Sequence, residues 1–140
     1  MKSYGKEKPR QKSLVRTSKT CPTEAAEQML VFQWADWMRG RFPELALLHH
    51  IPNGGSRNPV EAARLKAQGV KPGVPDLCLP VSRGGYHGLY IEMKRQFGGR
   101  VSDEQKAWIA DLIAQGYRVT VCRGAEEAIE ELKSYLGDSA

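Results

Sequence analysis

Apolar runs that switch between helical and strand periodicity predict an α/β domain: a mixed four-stranded sheet sandwiched between helices. Three observations carry this expectation. Two alternating apolar runs, broken at Gly84-Gly85, read as an antiparallel pair. A further strand of period two at residues 117–122 is separated from that pair by a helical segment, which calls for a parallel crossover. Amphipathic stretches of helical period precede and follow the strands. A chain of 140 residues, 41% hydrophobic and 26% charged, suffices for one domain with its own core.

Residues 1–22 hold seven Lys and Arg against one acid, Glu7, with little to bury, and read as a disordered basic arm ahead of a domain spanning 23–140. The arm carries +6 of formal charge while the whole chain carries +5, so the domain sums to about −1 and the basic balance comes from the arm. A nucleic-acid backbone is the natural partner of such an arm, because each neutralised phosphate releases counterions; a solubilising tail is the competing reading. No apolar run is long enough to span a membrane and no secretory leader pattern is present, so the protein is expected to remain in the cytoplasm. Cys21, Cys78 and Cys122 are odd in number and lack the paired spacing of a zinc site, and are expected as reduced, mostly buried thiols.

Thr23 caps a helix that runs to about Arg39 and stops at Gly40. Glu27, Val31, Trp34 and Met38 recur on one face, beside Leu30 and Trp37, so Glu27 falls on the buried stripe. A carboxylate there needs a partner or a cation; the alternative keeps it wet in the first turn, where it favours the helix dipole. Burial in the core is expected for Trp34, Trp37 and Trp108. Residues 45–51 (LALLHHI) read as a short strand ending at the turn cluster Pro52-Asn53-Gly54-Gly55. Asn58-Pro59 opens a short helix ending near Gly69, and Arg57, Arg64, Lys66 and Lys71 form a local basic patch.

The strand pair comes next. Pro75-Asp76 opens its first run, and the second ends in Glu92-Met93-Lys94. Strand alternation sets Glu92 and Lys94 on one face and Leu89, Ile91 and Met93 on the other. After a polar, glycine-containing loop at 95–100, Ser102 caps a helix and Gln105 completes a capping box. Gln105 also shares a face with Trp108, Ile109 and Leu112, so it begins the side that packs on the sheet. That helix stops at Gly116. A last helix over 125–136 has Ala128, Ile129, Leu132 and Leu136 on one face and ends at Gly137.

Antiparallel pairing brings Asp76 beside Glu92, so two carboxylates and the Lys94 amine converge. Carboxylate oxygens suit a hard cation such as Mg2+ or Mn2+, which activates bound water and neutralises charge on a phosphate. Lys94 then orients or deprotonates the attacking water. An acid and a lysine two apart on a strand are, taken alone, more often a solvated face; Pro75-Asp76 opposite them and the glycine-rich approach favour the catalytic reading. His49 and His50 alternate faces, so only one of them points toward the site. His50 and Asn53 are candidates for substrate contact, with Lys71 and Arg57 as cations for a phosphate backbone.

Gly73-Val74-Pro75-Asp76-Leu77, Ile91-Glu92-Met93-Lys94 and Ser102-Asp103-Glu104-Gln105 together resemble the VRR-NUC domain, the virus-type replication-repair nuclease branch of the PD-(D/E)xK superfamily. The resemblance runs from about Glu24 to Leu136. It implies a restriction-endonuclease-like three-layer α/β/α core and a DNA endonuclease dependent on Mg2+ or Mn2+. It further implies that Asp76, Glu92, Glu27 and the Met93 carbonyl hold the metal, that Lys94 serves the water and that Gln105 supports it. Stand-alone members of this kind, lacking the extra domains of the Fanconi-associated nuclease, are expected to act as homodimers that resolve four-way (Holliday) junctions in DNA repair. Flap, single-strand or sequence-specific nicking by the same fold is the near alternative, and a non-catalytic nucleic-acid-binding protein the distant one.

Overall fold

The computed structural model describes residues 20–53 and 58–137; residues 1–19 of the basic arm, and Arg57, lie outside the described residues. The sheet has four strands in the order β1 (His49–His50), β2 (Leu77–Leu79), β3 (Leu89–Lys94) and β4 (Arg118–Arg123). The first three are antiparallel neighbours, and β4 joins β3 in parallel. Helix α3 (Asp103–Ala114) makes the crossover, as a parallel pair requires.

On one face, α1 (Glu24–Trp37) and α4 (Ala125–Tyr135) pack on each other and on the sheet. Between them lies the core: Val31 and Ala35 of α1, Leu77, Leu79, Leu89, Ile91 and Met93 of the sheet, and Ala128 and Leu132 of α4. The odd residues of β3 all face this core, so Tyr90, Glu92 and Lys94 face the other way, toward α3. That division places the polar face of the sheet beside the first turn of α3.

Local chemistry explains the boundaries. Thr23 Oγ1 accepts from Ala26 N at α1, Asn58 Oδ1 accepts from Val60 N at α2 (Pro59–Ala67), and Ser102 with Gln105 forms the full capping box at α3. Gly84 and Gly85, with φ of 58° and 85°, turn a small hairpin bridged at Arg83 and Tyr86 within the β2–β3 connection. All three cysteines are free and buried.

Two expectations need correction. Residues 45–51 do not form a continuous strand: Pro43–Leu47 is a 3-10 helix, and only His49–His50 pairs with β2. Pro43 pre-sets the helical φ at the first position, and Leu and Ala readily follow it, while Leu45 still supplies the buried anchor. The apolar stripe of α1 is also narrower than expected: Glu27, Val31 and Ala35 are buried and Trp34 and Met38 pack partly buried against the core, whereas the flanking Leu30 is 48% and Trp37 is 91% exposed. Trp37 therefore does not belong to the core. Among the described residues no helix is long and apolar enough to cross a membrane.

Candidate active site

The pairing of Leu77 with Ile91 sets Asp76 opposite Glu92, one residue beyond the last ladder pair. There β2 and β3 part. Ile51 N and His50 Nδ1 both donate to the Asp76 carbonyl, at 2.7 and 2.8 Å, which ties Asp76 to the β1 side. Its carboxylate reaches back across the gap, Oδ2 accepting from Met93 N at 2.8 Å. Side chain thus replaces backbone in joining the two strands, and the Asp76 carboxylate is held at the polar face.

Glu92 is 2% exposed and Lys94 5% exposed, so a charged pair sits inside the protein. Glu92 Oε1 accepts from Gln105 Nε2 at 2.7 Å and lies 3.5 Å from Lys94 Nζ. Its other oxygen, Oε2, is buried with no hydrogen-bond partner among the described residues. Burial, and then the Asp76 carboxylate nearby, push the Glu92 carboxyl up from 4.5 to about 7, with Lys94 opposing the rise. Such an oxygen is costly to leave alone and is a ready ligand for a hard cation.

Gln105 closes the capping box as expected, and its amide turns to Glu92, not to Lys94. Its Oε1 accepts from Ser102 N at 2.9 Å to close the capping box, and its Nε2 donates to Glu92. The amide therefore bridges a helix start and a buried carboxylate, with its orientation fixed by both.

Glu27 is not brought to this pair. It is 2% exposed, but Oε1 accepts from Gln96 Nε2 at 2.8 Å and Oε2 accepts from Ala125 N at the start of α4. It shares the core-facing stripe of α1 with Val31, on the side of the sheet opposite Glu92 and Lys94. Among the described residues no three His, Cys, Asp or Glu side chains gather as a metal cluster. The buried position was legible from periodicity; the partner that satisfies it, a helix N-terminus, was not. Glu24 of α1, not singled out in the sequence, borders the same loop as Lys94: a Cβ placed on Gly99 would lie 3.7 Å from Glu24 Oε1 and 3.8 Å from Lys94 Cδ.

The remaining candidates divide. Asn53 Nδ2 donates to Val74 O at 3.1 Å and His50 to Asp76 O, so both act first as anchors of the loop that carries Asp76. Lys71, at the start of that loop, is exposed, as are Arg64 and Lys66 on α2, a helix with no buried residue. Arg57 falls outside the described residues. Met93 contributes its amide to Asp76.

Two acids facing each other where strands diverge, a lysine on the same face and a glutamine locking one acid from a helix cap make a polar site whose oxygens suit a hard cation. Comparison with known proteins makes the assignment specific. The family model described as the VRR-NUC domain matches residues 13–126. A solved structure described as "VRR_NUC domain protein" is similar over 84% of this chain and 93% of that one, at 35% identity and a TM-score of 0.70. No curated protein matches the sequence. The chain belongs to the VRR-NUC domain family, whose members are generally nucleases.

Proposed function

We propose that the protein is a DNA endonuclease dependent on Mg2+ or Mn2+ that hydrolyses phosphodiester bonds in branched DNA. The observation that carries this reading is the Glu92 carboxylate: buried, opposed by Asp76, fixed at Oε1 and left with an unpartnered Oε2. The residues present fit a hard cation, because Asp76 and Glu92 offer carboxylate oxygens and the cation would relieve their mutual repulsion; the Met93 carbonyl is a further candidate ligand. When bound, the metal supplies charge neutralisation at the phosphate and an acidified water.

The chain's own groups do the rest. Lys94 Nζ, anchored to Glu92, is placed to hold the water or a phosphate oxygen. Gln105 keeps Glu92 in one orientation, which pre-sets the ligand before substrate arrives. The exposed cations Lys71, Arg64 and Lys66 adjoin the Asp76 loop and suit a phosphate backbone approaching from that side. His50 and Asn53 serve substrate indirectly, by fixing that loop.

A single site cuts one strand per encounter, so paired nicks in a four-way junction call for two sites related by a two-fold axis. The proposal is accordingly a homodimer acting in DNA repair. Incubating the protein and Mn2+ with linear, flapped, single-stranded and four-way DNA, alongside sedimentation with and without a junction, tests it. Symmetric nicks by a dimer are expected. A monomer that cuts flaps or single strands and spares junctions overturns the junction assignment while leaving a nuclease; no cleavage of any substrate overturns the enzyme.

A further inference from the structure

We infer that Gly73 is a positioning residue of the active site, setting the distance between the Asp76 loop and the first turn of α3 so that Gln105 can reach Glu92. Gly73 is buried in the turn that precedes Asp76, with φ of +90°. A Cβ at this position would lie 2.6 Å from Glu104 C, 2.7 Å from Glu104 O and 2.9 Å from Gln105 N. All three are backbone atoms of α3, which no side-chain rotation can move aside. Any side chain at 73 must therefore push the loop and the helix start apart.

The displaced element is the one that carries Gln105, whose Nε2 to Glu92 Oε1 bond is 2.7 Å long. The loop has little freedom to yield instead. Asn53 holds it at Val74 O, Ile51 and His50 hold it at Asp76 O, and the Asp76 carboxylate is bonded to Met93 N. Relieving the 2.6 Å contact to an ordinary carbon–carbon separation of about 3.5 Å takes a shift of about 0.9 Å, enough to stretch the 2.7 Å Gln105–Glu92 bond past normal hydrogen-bond length. Glu92 would then keep Lys94 alone, with its carboxylate no longer fixed. Gly73 never touches substrate in this scheme; it acts through Gln105.

The inference rests on the nuclease reading for its kinetic consequence, but its structural core is tested without activity. Side-chain amide resonances of Gln105 in 15N-labelled, metal-free protein report the bond to Glu92 directly, with Q105A giving the assignment. In G73A and in G73N the Gln105 signal should lose its hydrogen-exchange protection and move to the free-amide position, while resonances of α1 and α4 stay in place. Asn tolerates a left-handed backbone better than Ala, so an equal loss in both variants identifies the clash, not the φ angle, as the cause. In Mn2+-dependent cleavage G73A should lower kcat by about tenfold, as expected when one charge-assisted hydrogen bond is removed, with KM for DNA little changed. G73A/Q105A should be no worse than Q105A. A protected Gln105 amide in G73A, or effects that multiply in the double variant, overturns the proposal. So does a G73A that stays unfolded in stabilising osmolyte, since the role assigned is local. If the unmodified protein cuts no DNA, the nuclease reading fails while the resonances still decide the inference.

Discussion

Glu92 concentrates the chemistry of this protein in one side chain. Its unfolded-state carboxyl ionises near 4.5 and its folded one near 7, so the folded state holds an extra proton between those values. The stability contributed by neutral Glu92 is complete below the lower value and is lost as pH rises through the upper one. The metal-free protein should therefore lose thermal stability between about pH 5 and about pH 8, and Glu92→Gln should flatten that part of the profile; an identical slope in the variant would refute the assignment. For the same reason Mn2+ should release a proton on binding near neutral pH, read in calorimetry as a dependence on buffer ionisation. At this scale the sequence was informative: the alternation of LYIEMK put Glu92 and Lys94 on one face, and the antiparallel register put Asp76 beside them. The capping box of Gln105 and its turn toward the sheet were legible; its bond to Glu92 was not.

Elements were harder to read where two local signals compete. Residues 45–51 have the apolar density of a strand, yet Pro43 initiates a 3-10 turn and leaves two residues for the ladder. In α1 the stripe was found but its width was overestimated: Leu30 and Trp37, at its edges, are exposed, while Trp34 and Met38 pack against the core. The buried edge holds Glu27 against the start of α4. Glu27 is thereby a clasp between α1, the 95–99 loop and α4, assisted by Arg123, whose guanidinium donates to the Arg95, Gly98 and Gly99 carbonyls. Glu27→Ala should destabilise the fold by a few kcal/mol, about 1–3 for each buried donor left without an acceptor, measured by denaturant unfolding. Its Mn2+ affinity should match that of the unmodified protein. A variant of normal stability that no longer binds Mn2+ would return Glu27 to the metal site.

The whole molecule separates its charge from its chemistry. The domain is close to neutral and the basic excess lies in the arm, outside the described residues, so the proposed contact of the arm with DNA rests on charge arithmetic. Deleting residues 1–19 should weaken DNA affinity and reduce the slope of log K against log salt by about 0.9 for each phosphate of duplex DNA that the arm had neutralised; an unchanged slope would exclude the arm from the interface. Oligomeric state and preferred DNA structure were the least legible, because both depend on surface shape and not on periodicity; Trp37, at 91% exposure, is the kind of feature a sequence pattern assigns to the core. The central claim, that Asp76 and Glu92 form a metal-dependent nuclease centre, is tested most directly by comparing Mn2+-dependent DNA cleavage by the unmodified protein, Asp76→Asn and Glu92→Gln, each confirmed as folded and as able to bind DNA. Cleavage by the first and none by either variant is expected; cleavage that persists in a folded Asp76→Asn or Glu92→Gln protein would remove these carboxylates from the reaction.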